Sequence, residues 1–139
     1  MRHVSDPWKD KDWFVSPHNF DPDMRAAWEL PPKVRIHDST LRDGEQQPGL
    51  VFRKEEKVKA GLLMNELGIP EIEAGMPVVS SEDFEAIREL SQAGLKSKLM
   101  CLVRITKQDV DVAVDAGVSG VVMEVPCSYG IHEALGWNS

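Results

Sequence analysis

Within nine residues the chain gathers one imidazole, three carboxylates and one guanidinium: His37, Asp38, Arg42, Asp43 and Glu45. Gln46, Gln47 and Pro48-Gly49 follow directly, and the apolar residues Val34 and Ile36 precede. An adjacent Arg-Asp pair suits oxyanion chemistry beside a metal. A hard divalent cation takes carboxylate oxygen, and an arginine next to it stabilises negative charge developing on an enolate or alkoxide. Asp43 supplies one such ligand. No His-x-His or comparable cluster elsewhere in the chain completes the set. On pattern alone Arg42-Asp43 also fits a plain loop salt bridge. His37 falls within the first strand, where core and site both remain open to it, and His132 stands alone with no role assigned.

Two more carboxylates end apolar runs. Glu73 follows Ile72, and Glu124 follows Gly120-Val121-Val122-Met123. An inward carboxylate there costs several kcal/mol unless it is paired. Arg42 and Arg104 are the cations in reach.

These residues need a scaffold, and from Lys33 onward the pattern is regular. Residues Val34–His37 make a short apolar strand. Arg53–Leu67 is a helix with Val58, Leu62, Leu63 and Leu67 on one stripe and Gly68 as its stop. Ile72–Ala74 is a second strand. Ser81–Ala93 is a helix, with Ser80 and Asp83 resembling a capping box and Phe84, Ile87 and Leu90 facing inward. Lys98–Val103 is a third strand. Thr106 and Asp109 start another helix with Val110, Ala113 and Val114 inward, and Gly120–Val125 is a fourth strand, apolar on both faces. The final stretch from Ile131 reads as the start of a further helix.

Three helices end in the same punctuation: Leu67-Gly68-Ile69, Ala93-Gly94-Leu95 and Ala116-Gly117-Val118. These glycines lie 26 and 23 residues apart, the length of one βα unit. Repeated βα units imply a parallel sheet with right-handed crossovers, and near-continuous apolar strands fit a sheet covered on both faces. A (β/α)8 barrel and an open doubly wound sheet both qualify. In either, functional loops follow the C-terminal ends of the strands, so the loops carrying Arg42, Glu73 to Pro77, Arg104 and Glu124 to Cys127 converge on one rim. A complete barrel needs about 250 residues. The 139 residues here offer four strands, half a barrel.

The remaining composition narrows the function. With 42% apolar and 28% charged residues the chain is of ordinary globular type. A formal net charge of −7 argues against nucleic acid or an anionic membrane as a partner. No apolar run approaches a membrane span. Cys101 and Cys127 form neither a disulfide framework nor a zinc motif, which fits a reducing cytoplasm. Residues 1–33 differ from the rest: they hold Trp8, Trp13, Trp28, Phe14 and Phe20, and prolines at 7, 17, 22, 31 and 32. They read as an irregular aromatic arm, with a short helix over Asp23 to Leu30, ahead of a partial barrel domain at 34–139.

The run Asp38-Ser39-Thr40-Leu41-Arg42-Asp43-Gly44-Glu45-Gln46 resembles the signature of the isopropylmalate synthase and homocitrate synthase family. These belong to the DRE-TIM metallolyases, with a pyruvate-carboxyltransferase-like barrel. Gln47-Pro48-Gly49 and Glu71-Ile72-Glu73-Ala74-Gly75-Met76-Pro77 also match, and the resemblance runs from about Val34 to the end. It implies the N-terminal half of a (β/α)8 TIM barrel, a divalent metal (Mg, Mn or Zn), and a Claisen-type condensation of an acyl-CoA, acetyl-CoA above all, with a 2-oxo acid. By position, Arg42 would stabilise the enolate or the oxo oxygen, Asp43 would be a metal ligand, and Gln46 would contact substrate or hold the loop. Glu73 would orient Arg42 or lie close to the metal, and Arg104 would face substrate. Glu45-Gln46 favours the condensing synthases over the related hydroxyacyl-CoA lyases, which typically carry a leucine before that glutamine.

The family's other metal ligands, two histidines in a His-x-His motif, come from later strands that this chain does not contain. The expectation is therefore an N-terminal fragment, inactive alone, of a protein that is a homodimer at full length. A lyase of the same superfamily and a non-catalytic half-barrel are the alternatives.

Overall fold

A computed structural model of the chain describes residue 6 and residues 8–136. The chain divides into two compact units, Met1–Val34 and Arg35–Ser139. In the first, an antiparallel bridge joins Lys9 to Phe14. A 3-10 helix, Pro17–Phe20, precedes α1, Pro22–Ala26. The Trp8 and Phe20 rings lie 6.3 Å apart. The helix expected over Asp23 to Leu30 thus starts one residue earlier and is a single short turn. Asp21 caps it by accepting from the Asp23 amide at 2.9 Å, and Pro22 takes the first helical position, where a missing N–H costs nothing.

The second unit is four βα-type repeats: β1 His37–Asp38, α2 Lys54–Glu66, β2 Glu71–Glu73, α3 Ser81–Gln92, β3 Lys98–Val103, α4 Lys107–Asp115, β4 Gly120–Met123 and α5 Tyr129–Ala134. The strands form one parallel sheet in the order β1-β2-β3-β4. A doubly wound sheet needs a reversal of strand order, and none occurs among the described strands. Right-handed crossovers between successive neighbours put every helix on one face. The open alternative is therefore excluded, and the architecture is half of a (β/α)8 barrel.

The core lies on the helix-covered face. Leu99, Cys101 and Val103 alternate along β3 and pack with Ile87 and Leu90 of α3 and Ala113 and Ala116 at α4. Register places Glu71 opposite Lys98 and Glu73 opposite Met100, so by the two-residue period the other face carries His37, Glu71, Glu73, Met100 and Leu102. On that face Met100 and Leu102 are partly buried and Glu73 is 1% exposed.

Several other expectations shift. The first strand is His37–Asp38, not Val34–His37, and Val34 and Ile36 are exposed. Its partner strand begins at Glu71, and Pro70 before it has no N–H to extend the ladder. The second strand starts one residue earlier than expected; the Ala74 amide still donates to the Met100 carbonyl at 2.9 Å. The fourth strand stops at Met123, with Glu124 and Val125 exposed. Lys98–Val103 is as expected. The last helix begins at Tyr129, two residues before Ile131.

The helix faces are the larger correction. In α2 the buried residues are Lys57 and Gly61, while Leu62, Leu63 and Leu67 are exposed. A Cβ at Gly61 would lie 2.8 Å from a Leu90 methyl. The bare backbone there is what lets α3 approach, and that turns the leucines outward. In α4, Asp109 and Ala113 are buried and Val114 is exposed, because 109, 113 and 116 make one face. In α3, Ala86 joins Ile87 and Leu90 in the interior, and Phe84 is half-buried. Ser80 caps α3 by accepting from the Asp83 amide at 3.0 Å, but Asp83 answers to the Ser80 hydroxyl instead of its amide. The punctuating glycines adopt φ of +79° at 68, +68° at 94 and +79° at 117, the left-handed cap that favours glycine.

Candidate active site

The segment after β1 folds into one tight turn. The Ser39 carbonyl accepts from the amides of Arg42, Asp43 and Gly44, and Asp38 Oδ1 accepts from the Thr40 amide at 2.9 Å. A 3-10 helix, Gly44–Gln46, continues it. Leu41, fully buried, pins the turn to the interior. The neighbouring Arg42 then reaches Glu73, which ends β2.

Glu73 is 1% exposed and is the centre of the cluster. Its Oε1 accepts from Arg42 Nε at 2.9 Å, and its Oε2 accepts from Arg42 Nη2 at 3.4 Å. His37 Nε2 lies 3.3 Å from the same Oε2. The other ring nitrogen, Nδ1, is 3.5 Å from Glu71 Oε2, and Glu71 also takes Arg35 Nη1 at 3.3 Å. Arg42 Nη1 donates to Asp43 Oδ1 at 2.9 Å. The Glu73 hydrogen bond, aided by the charges of Glu73, Asp43 and Glu124 and opposed by desolvation, raises the Arg42 guanidinium pKa. Burial, with the Glu73 charge behind it, pushes the Cys101 thiol up to about 11.

A guanidinium has five N–H donors. Glu73 and Asp43 engage three of them, and two remain. Arg42 lines a hollow of about 400 Å³ with Gln46, Leu50, Lys57, Met76 and Leu102. A second hollow of about 390 Å³ is lined by Arg104, Glu124 and Pro126 and shares Met76 and Leu102 with the first. Residues of all four loops therefore border two adjoining hollows on one rim.

Arg104 is held by the helix that follows it, α4. Its Nε and Nη2 donate to the two carboxylate oxygens of Asp109, each at 2.8 Å, and its amide donates to Oδ2 at 3.1 Å. That pairing, with the Thr106 hydroxyl, keeps the Asp109 carboxyl well below the usual carboxylate range. Glu124 is exposed and makes no ion pair among the described residues.

One cluster at the site has no counterpart among the sequence expectations. Lys57, 2% exposed, sits between Glu45 and Asp83. The Glu45 contact is 2.6 Å. The only available signal is the i, i+4, i+8 run Lys57, Gly61, Asn65, a polar and glycine face that apolar periodicity passes over. The burial of Leu41 and the pairing of His37 with both glutamates were likewise unanticipated.

The donor set tests the expected metal. Asp43 offers a carboxylate oxygen, Oδ2, without a partner among the described residues. No three His, Cys, Asp or Glu side chains among those residues converge to hold a metal. By themselves they do not fit a metal centre.

Comparison with known proteins bears on the same segment. Residues 33–135 match the model of the HMGL-like family, and the chain belongs to that family. Over 100 residues, 72% of this chain, it is 44% identical to the homocitrate synthase AksA of Methanopyrus kandleri, covering 25% of that protein. Over 108 residues, 76% of the chain, it is 43% identical to a probable 2-isopropylmalate synthase of Ignicoccus hospitalis, covering 27% of it. A putative (R)-citramalate synthase, CimA, of Archaeoglobus fulgidus is 44% identical over 96 residues, 69% of the chain and 20% of that protein. The chain spans about a quarter of the length of the curated relatives it matches. Among the described residues no helix is long and apolar enough to cross a membrane.

Proposed function

We propose that this chain supplies the Arg-Asp corner of an enzyme that condenses an acyl-CoA, acetyl-CoA above all, with a 2-oxo acid. The observation that carries it is Arg42, clamped on Glu73 with two N–H groups left over beside an open hollow. In the reaction the acyl methyl gives a proton to a base, the enolate carbon attacks the oxo carbon, the oxo oxygen gains the negative charge and is then protonated, and water cleaves the remaining thioester to free the coenzyme A thiol. Two preorganised N–H groups suit an oxygen whose charge grows in the transition state. Glu73 fixes their direction. Gln46, on the same loop, and Arg104, on the second hollow, contact substrate. Asp43 Oδ2 would offer one oxygen to a divalent ion, Mg, Mn or Zn, only together with ligands other than the described residues, which form no metal-binding group.

Identity to synthases of three acceptor types supports condensation as the reaction class and leaves the acceptor open. Residues 1–33 form an aromatic-rich arm ahead of the barrel portion at 34–139, and the whole protein is a homodimer that acts in a reducing cytoplasm without nucleic acid or membrane. The test is release of the coenzyme A thiol from acetyl-CoA by the gene product that carries this chain, offered 2-oxo acids of graded length and charge. Thiol release with at least one acid, lost with Arg42→Ala, is the expected result. Absence of release with every acid would sink the proposal, and cleavage of a hydroxyacyl-CoA in its place would move the reading to the lyases.

A further inference from the structure

Lys57 has no obvious reason to be a lysine. It lies on a helix, its ammonium is almost wholly buried, and two carboxylates converge on that one cation. Buried ion pairs are commonly no more stabilising than apolar residues of the same volume. Stability alone therefore does not account for it, whereas the segments it joins do. Glu45 belongs to the turn that presents Arg42, and Asp83 to the first turn of α3. Glu45 uses both oxygens: Oε1 accepts from the Phe52 amide at 2.8 Å, closing the loop 46–51, and Oε2 takes Lys57 Nζ. Asp83 offers Oδ1 to Lys57 and takes the Ser80 hydroxyl on Oδ2. A third segment makes room. Gly75, just beyond Glu73, has φ of +137°, and a Cβ there would stand 3.3 Å from Lys57 Nζ and 3.5 Å from Asp83 Oδ1.

We infer that Lys57 is a positioning residue: its buried ammonium clamps Glu45, and so fixes the turn that aims Arg42 and Gln46 across the hollow. The inference rests on reading that turn as part of the site. Gln46 adjoins Glu45, and its amide donates to the Asp43 carbonyl at 3.1 Å, so movement of Glu45 is movement of the 42–46 turn. The clamp acts on where the guanidinium points.

Lys57→Met leaves two carboxylates facing each other in the interior and is expected to misfold, so the informative variants are Glu45→Gln and Asp83→Asn. Glu45→Gln replaces one acceptor oxygen by an NH2 group that must face either the Phe52 amide or the ammonium, donor against donor. Asp83→Asn leaves the Lys57–Glu45 contact in place. Amide hydrogen exchange of peptides covering 42–52 and 98–103 is measured on the chain, and kcat and KM on the active gene product. In Glu45→Gln the loop amides, Phe52 foremost, exchange about tenfold faster. There 98–103 stays unchanged and kcat falls with KM nearly constant. Asp83→Asn lowers the melting temperature and leaves loop exchange near wild type. Wild-type loop exchange in Glu45→Gln, or equal loop exchange in both variants, overturns the clamp. Should the wild-type protein condense nothing, the reading of the site fails, while the exchange comparison still decides the clamp.

Discussion

Glu73 is shared by two side chains, and at the residue scale that sharing governs the site. Arg42 engages it through two nitrogens and His37 through one. A lysine at 42 keeps the charge and loses the fork geometry that aims the remaining N–H groups. Arg42→Lys is expected to lower kcat by roughly 10²–10³-fold, the scale of a lost oxyanion donor, with little change in the melting curve; steady-state kinetics beside thermal unfolding checks both. The two thiols should also separate cleanly. Cys127 is exposed, whereas Cys101 is buried with its pKa pushed to about 11. Iodoacetamide at pH 8 should add one label to the folded chain and two to the unfolded one, by intact mass. The raised Cys101 pKa also has a sign: the burial behind it favours folding below about pH 9 and is lost as pH climbs toward about 11. Arg42, Asp43 and Gln46 stood out in the sequence as candidates because a dense polar run directly follows an apolar one, and their roles stand as proposed above. Lys57 and the role of Glu45 did not, since a lysine inside a charged helix looks like any solvated residue.

At the element scale the repeat was readable and the helix faces were not. Gly68, Gly94 and Gly117 mark three helix ends because only a residue tolerant of positive φ closes them in this way. The strand positions followed from what lies between. For α2 the leucine stripe misled, because the packing face is 57, 61 and 65, where a glycine and two polar residues make the contacts. Asn65 Oδ1 accepts from the amides of Lys96 and Ser97 and from the Ser97 hydroxyl. Gly61→Val should therefore destabilise by about 1–3 kcal/mol through overpacking on Leu90, read as a lower urea midpoint with an unchanged slope. At α4 the Arg104–Asp109 pair makes a pH prediction. Asp109 titrates lower folded than unfolded, so its contribution is present above about pH 4 and fades as the pH falls further. Asp109→Asn should flatten the acid limb of stability below about pH 4 while lowering stability at neutral pH, measured by urea unfolding across the range.

At the scale of the whole molecule the sheet has two edges, β1 and β4. Ile36 beside β1 is 59% exposed, and Met123 and Val125 at β4 are 44% and 46% exposed. Unpaired edges with apolar flanks invite association. At micromolar concentration the chain is expected to sediment well above its 15.5 kDa mass, and Ile36→Lys should shift it toward monomer. β1 itself is only two residues long and meets β2 through just two residue pairs. Four further side-chain contacts bind this segment there: Arg35 and His37 to Glu71, and His37 and Arg42 to Glu73. The groups that would handle a substrate oxygen are thus also the stitches of a strand. A lineage or a directed-evolution campaign cannot retune Glu73 by itself, because any new residue there must satisfy His37 and Arg42 at once. Accessible mutational paths should run through paired or triple exchanges at 37, 42 and 73, and single-step libraries should find this corner frozen while Leu50, Val51 and Val79 around the hollow vary freely.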